Sequence, residues 1–156
     1  MWEGVRSALN QKANASPESQ EDGMDITLCL INKTTKTVQV AAANHVIYCV
    51  HDGLIETIEG DMASVGGSMN TENNYSNHQF SYTPGTRLYM FSDGYQDQFG
   101  GEDNKKFLGV HFKKLLFETS TLPMEQQCEK LDTTFENWKG QRKQIDDVLV
   151  LGLELD

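Results

Sequence analysis

The sequence predicts an α+β domain built on antiparallel strands, and three observations carry that prediction. Strand-like runs joined by turn signals fill residues 24–92. Apart from a short stretch at 2–12, helical spacing of apolar residues appears after those runs, between about 107 and 139. One long apolar run, DVLVLGLEL at 147–155, closes the chain. A run of strands followed by helices argues for antiparallel layers with packed helices, whereas a doubly wound fold would alternate the two.

The elements follow in order. Residues 2–12 (WEGVRSALNQK) fit a short helix, with Trp2, Val5 and Leu9 on one face. The polar stretch 13–23 reads as a loop. Runs 24–32 (MDITLCLIN) and 37–43 (TVQVAAA) form a hairpin across KTTK. Runs 46–50 and 54–58 flank Asp52-Gly53, a pair that tolerates the positive φ of a tight hairpin turn. Residues 60–76 are rich in glycine and asparagine and form the longest irregular stretch. A third hairpin is predicted from 78–83 and 86–92 around Pro84-Gly85. Phe107, Phe112, Leu115 and Leu116 suit a helix over 109–119. Pro123 opens another, in which Met124, Cys128, Leu131, Phe135 and Trp138 step by four and three. The hairpins and the last strand are expected to make one antiparallel surface carrying both helices. Leu116, Leu131, Phe135 and Trp138 should be among the most buried residues. No repeat or second domain is evident, so residues 1–156 read as one domain.

Composition narrows the function. No apolar run approaches the roughly 20 residues that span a bilayer, and the first residues lack the apolar core of a secretory signal. A cytoplasmic protein, or a cytoplasmic piece of a larger one, is expected, without membrane insertion. The net charge of −10, from 23 acids against 13 bases, repels phosphate backbones and argues against nucleic acid. It does not argue against a phosphoprotein if a cation sits between the two. The three cysteines, Cys29, Cys49 and Cys128, make no CxxC pair and read as buried thiols. His45, His51, His78 and His111 form no HxxxH or HExxH pair and read as surface or strand-end residues rather than zinc ligands. No Ser-His-Asp or Cys-His spacing suggests a nucleophile, so no catalytic side chain is assigned.

Two acidic sites stand beside long apolar runs. Asp93 closes LYMFSD, and Asp146-Asp147 opens DDVLVLGL. If these strands are antiparallel neighbours, two or three carboxylates converge at one sheet edge. Like charges so close repel, and a hard divalent cation with oxygen ligands is the usual remedy. A strand that simply ends in an Asp-Gly turn explains the same residues, and spacing alone leaves both readings open.

The motifs carry more than spacing. SDGYQDQFGG, then NKKF, then helices, then QIDDVLVLGLEL, resembles the C-terminal part of the PPM-type (protein phosphatase 2C-like) serine/threonine phosphatases in their SpoIIE branch. DGMDITLCLIN resembles that branch's first hairpin strand, and SVGGS its glycine loop. AAANHVIYCVHDG resembles its GANNPLY strand and turn, with Val46 where proline is usual. The resemblance runs from about residue 2 to 155. It implies a partial α-β-β-α sandwich and a hydrolase using two magnesium or manganese ions held by aspartates. The resemblance implies that in the complete domain such ions would supply a metal-bound water for in-line attack on phosphoserine or phosphothreonine, without a covalent intermediate.

Carried over by position, Asp93 matches the SDG metal ligand and Asp146 the first acid of the terminal ligand pair. Gly94 would let the turn approach the metal. Asp97 and Asp147 are supporting residues, Asp97 for a metal-bound water or as a solvated acid, Asp147 as a turn cap or further ligand. Asp25 has no ligand role and reads as structural. The chain departs from the pattern in lacking the first strand, whose GD-aromatic motif supplies the aspartate bridging both metals, and the GHG-like turn after it. It therefore reads as the C-terminal portion of the domain, with half the ligands and little activity alone.

The intact protein would belong to bacterial signalling, act on a phosphoserine or phosphothreonine protein, and carry an upstream sensor or repeat module. Apolar sheet surface left uncovered by the missing strands predicts a homodimer. The rival reading, from another class, is a non-catalytic regulatory or interaction domain whose sheet binds a partner.

Overall fold

The structure, a computed structural model, describes residues 23–66 and 75–156. The helix expected over 2–12, most of the loop before residue 23 and the glycine loop beyond Gly66 lie outside the described residues. The chain divides into two compact units, one containing 58–81 with the first hairpin, the other 47–57 and 82–156.

In the first unit β1 (Ile26–Asn32), β2 (Thr37–Ala43) and β5 (His78–Ser81) form an antiparallel sheet in the order β1-β2-β5. The KTTK turn closes because the Asn32 carboxamide oxygen accepts the backbone N–H groups of Thr34 and Thr35, each at 3.0 Å. This is the local side-chain bond that asparagine offers to turns. The central strand β2 buries Val38, Val40 and Ala42 on one face, the period-two alternation of a half-covered strand. Beyond it, Asp25 is held by Asn44 Nδ2 at 2.8 Å and Ser64 Oγ at 2.5 Å, in keeping with its structural reading. Asp61 accepts the Ser76 N–H and hydroxyl at 2.6 and 2.9 Å, bonds that hold its carboxyl below the usual carboxylate range.

The second unit is built on a four-stranded antiparallel sheet in the order β4 (Leu54–Glu59), β3 (Val46–His51), β6 (Thr86–Phe91), β9 (Val150–Leu155). Asp52 and Gly53, both at positive φ (48° and 73°), make the expected tight turn between β3 and β4. A ribbon of β7 (Phe99–Gly100) and β8 (Lys105–Lys106) follows the short helix α1 (Gly94–Asp97). The two longer helices are α2 (Gly109–Thr119) and α3 (Met124–Lys139). Their spans match the apolar periodicity, and Gly140 at φ 57° ends α3 where a side chain would be strained.

The core gathers on Tyr95. Its ring lies 4.5 Å from that of Phe112, 5.1 Å from Phe135 and 5.2 Å from Phe107, centroid to centroid. Its hydroxyl donates to the Leu131 carbonyl at 2.8 Å. Burial, with Asp132 adding to it, pushes the phenol well above its ordinary pKa, so it stays a neutral donor.

Four expectations change. The strands divide between two sheets instead of forming one surface. Pro84-Gly85 does turn the chain, with Thr86 N–H donating to Thr83 O at 3.0 Å, but β5 and β6 do not pair. The reason is that β6 already has β3 on one side and β9 on the other, while β5 pairs with β2. On α3 the inward residue is Gln127, and Cys128 is exposed. Gln127 is buried without loss because it accepts from Tyr89 Oη at 2.7 Å and donates to Leu122 O at 2.8 Å. Of the other thiols, Cys29 is half-buried, and Cys49 is buried with its pKa pushed up to about 11. Leu116, Leu131 and Phe135 are buried as expected, but Trp138 is only half-buried, its indole lying along Gly100 and Gly101.

Candidate functional site

The acids singled out by sequence stand at neighbouring strand ends. β6 and β9 pair antiparallel from Thr86↔Leu155 to Phe91↔Val150, so the exit of β6 adjoins the entry of β9. One residue further, Ser92 N–H donates to Leu149 O at 3.0 Å. The return bond is not a backbone one: Leu149 N–H donates to Ser92 Oγ at 3.0 Å, and that hydroxyl donates to Asp147 O at 2.8 Å. A side chain thus ends the ladder, which is why β9 begins at Val150 and not at Asp147. It also fastens the Asp146-Asp147 segment to the turn that carries Asp93.

Gly94 completes the junction. A Cβ on this residue would overlap the Asp147 carbonyl, so only glycine lets the two backbones approach this closely. Its demonstrable role is this main-chain contact. Asp93 is the N-cap residue of α1, exposed, with no side-chain capping bond. Asp146 and Asp147 are also exposed; one Asp146 carboxylate oxygen accepts Asp147 N–H at 2.7 Å. Asp97 is neither a loop acid nor freely solvated, since it lies on α1 and pairs with Lys106 Nζ at 2.8 Å.

Two residues that sequence reasoning passed over hold this edge together. Ser92 is the hydroxyl clamp. Gln98, 0% exposed, is an amide clamp: its Nε2 donates to Phe99 O (2.9 Å) and Lys143 O (3.1 Å), and its Oε1 accepts Ile145 N–H (3.3 Å). Its own carbonyl accepts Trp138 Nε1–H at 3.0 Å. The signal for Ser92 was its place beside Asp93; a glutamine between two acids and a glycine pair gives no sign of burial.

Chemically, the junction can present carboxylates from two chain segments, and among the described residues no basic residue is bonded to Asp93, Asp146 or Asp147. It is not a complete metal cage. Among the described residues, no three His, Cys, Asp or Glu side chains are grouped to hold an ion. A hard cation wants about six oxygens, so the described residues fit only part of such a site, and no reaction step follows from them alone.

Comparison with known proteins gives the fold its relatives. The family model for Stage II sporulation protein E (SpoIIE) matches residues 3–156. The SiaA-PP2C domain of Pseudomonas aeruginosa is 25% identical with a TM-score of 0.84, over 99% of this chain and 58% of its own. The phosphatase domain of the cell fate determinant SpoIIE from Bacillus subtilis is 11% identical with a TM-score of 0.63, over 99% and 65%. The catalytic domain of the serine threonine protein phosphatase PstP, solved in complex with 2 manganese ions, is 14% identical with a TM-score of 0.65, over 99% and 67%. No curated protein sequence matches the chain. The chain thus spans less than two thirds of the first two of these solved domains. A family match over nearly the whole length, on a fold shared with PP2C-like phosphatase domains, means that this chain belongs to the SpoIIE family.

Proposed function

We propose that this chain is the C-terminal portion of a metal-dependent serine/threonine phosphoprotein phosphatase domain of bacterial signalling, and that it is nearly inactive by itself. What supports the reading is the junction of β6 and β9, where the Ser92 hydroxyl bonds the Asp147 carbonyl and Gly94 packs against it, so that the turn carrying Asp93 adjoins the Asp146-Asp147 segment. In this reading Asp93 and Asp146 are ligands to one magnesium or manganese ion, with Asp147 supporting them. A bound cation would neutralise the substrate phosphate and lower the pKa of a coordinated water. The remaining ligands lie outside the described residues. The chain's own part is to hold two carboxylates in register and to keep Lys106 occupied by Asp97. The phosphoprotein substrate, a cytoplasmic setting and an upstream sensor module belong to the same proposal; no helix among the described residues is long and apolar enough to cross a membrane.

Manganese titration with a para-nitrophenyl phosphate assay tests this. Weak manganese binding is expected, abolished by Asp93→Asn and changed less by Asp147→Asn, with almost no turnover. Robust turnover by these residues alone would overturn the reading, because it would need ligands not found among the described residues. Manganese binding that ignores Asp93→Asn would favour the alternative, a non-catalytic regulatory or interaction domain.

The homodimer belongs to the proposal as well. Among the described residues β1 is a sheet edge, and its Leu28 and Leu30 are 56% and 61% exposed; a second copy would pair antiparallel with this edge and cover them. Light scattering is expected to give twice the monomer mass at high concentration, and Leu30→Lys to restore the monomer. A clean monomer for the unaltered chain would contradict this.

A further inference from the structure

Asp146 stands on a segment with no ladder of its own. Residues 140–149 join α3 to β9 outside any helix or strand, and residues 141–147 are exposed. Their place is therefore set by whatever bonds their backbone. Downstream of Asp146 that is Ser92, through the Asp147 carbonyl and the Leu149 N–H. Upstream it is Gln98, whose side chain takes both Lys143 O (3.1 Å) and Ile145 N–H (3.3 Å). Asp146 is bracketed by these two side chains, which themselves stand on either side of Asp93 and α1.

Gln98 is held in turn from the end of α3. Its carbonyl accepts Phe107 N–H and Trp138 Nε1–H, each at 3.0 Å. Trp138 lies on the glycine pair that follows Phe99. An added Cβ on Gly100 would overlap the Trp138 carbonyl and come within 2.5 Å of indole Cδ1, and one on Gly101 would lie 2.9 Å from Cζ3. Gly101 N–H donates to that same carbonyl at 3.0 Å. Gly101 has a positive φ of 64°, which the ribbon turn requires, but Gly100 does not. The missing side chain at Gly100 therefore answers to the indole and not to the turn.

Position and packing separate at Gln98. The residue is fully buried, but its partners Lys143 and Ile145 are exposed. A methionine would fill the same space without an amide, and water would take over the bonds that the segment loses. The core would stay, and the segment would not keep its place.

Taking Asp93 and Asp146 as ligands to one cation, the reading on which this rests, we propose that Gln98 is a positioning residue: it sets where Asp146 stands relative to Asp93, and Trp138 on its glycine seat keeps Gln98 in place.

The test compares Gln98→Met with Gln127→Met in the full chain by NMR, first without metal and then in a magnesium titration. Both glutamines are buried and bonded, but Gln127 bonds Tyr89 and Leu122, away from this segment. Without metal, Gln98→Met is expected to shift the amides from Lys143 to Asp147 and to speed their exchange, while Leu88 and Phe112 stay protected. Magnesium should move the side-chain carboxyl carbons of both Asp93 and Asp146 in the unaltered chain and in Gln127→Met. In Gln98→Met it should move that of Asp93 alone, with affinity lower by about tenfold or more, the usual loss when a group orienting a ligand is removed. Trp138→Phe, which keeps a ring on the glycines but removes the N–H, should give the same pattern to a smaller degree. An unmoved 143–147 segment, or an Asp146 carboxyl that still responds in Gln98→Met, would overturn the proposal. So would an equal loss in Gln127→Met, which would make the effect one of packing. Should Gln98→Met not fold, an unchanged Asp146 response in Trp138→Phe overturns it instead. If neither carboxyl responds in the unaltered chain, the ligand reading itself fails and takes this proposal with it, an outcome seen before any variant is compared.

Discussion

Truncating Phe135 to alanine is expected to cost about 3–5 kcal/mol of folding stability, the largest effect of any single truncation considered. Phe135 is 6% exposed and sits on the inward stripe of α3 with Gln127 and Leu131. Its ring meets Tyr95 at 5.1 Å, and the Lys139 ammonium lies 5.5 Å from its centroid on the outer side. Removing it therefore opens a cavity under Tyr95, the residue that anchors α1, and loosens the turn carrying Asp93 along with the core. Urea denaturation of the variant, with Phe117→Ala as an exposed-site control, measures this. A loss below about 1 kcal/mol would be typical of a surface change and would mean that α3 is wrongly placed.

The second large effect is expected from Gly94→Ala. The new methyl group has no room, because the Asp147 carbonyl already occupies its position. The obstacle is main chain on both sides, not a flexible side-chain tip, so relief requires the 146–149 segment to move away from the turn. The expected cost is about 1–3 kcal/mol, the usual range for overpacking. The same movement would lengthen the Ser92–Asp147 bond and part Asp93 from Asp146. Manganese binding should fall to the level of Asp93→Asn although no carboxylate has been removed. If stability falls and manganese binding does not, the glycine serves packing alone and the carboxylates are not a joint site.

Much of this architecture is legible in the sequence because it depends on local rules. The bounds of α2 and α3 follow from apolar spacing, Pro123 and Gly140, all of which act within a turn or two. The Asp52-Gly53 hairpin follows from residues that tolerate positive φ. The pairing of LYMF with VLVL follows from two long apolar runs that each need covered neighbours. What the sequence hides is choice among partners. A Pro-Gly turn looks the same whether its flanking strands pair or leave for different sheets, and only the full set of strand neighbours decides against a β5–β6 hairpin. Gln127 and Gln98 are hidden for a related reason. A glutamine is read as polar surface until a phenol, a carbonyl and an amide are present to satisfy it, and those come from residues distant in sequence. The candidate acids were named from motifs; Ser92 could have been named from its place beside Asp93, whereas nothing near Gln98 signals that its amide binds the backbone of this edge.

The Ser92 clamp has a consequence for the order in which the chain assembles. Its bond to Asp147 joins residues 55 apart in sequence, and the Gln98 bond to Ile145 joins residues 47 apart. Closing loops of that length costs entropy that a few hydrogen bonds cannot offset, so α2 and α3, which lie inside the loop, are expected to dock first. The acidic edge is then among the last parts to form and the first to open. Amide exchange at Ile145 and Leu149 should proceed through local opening, well below the free energy that protects Leu88 in the central strand. Anything that binds both carboxylate segments at once acts on that opening: it ties shut a loop the bare chain only holds loosely.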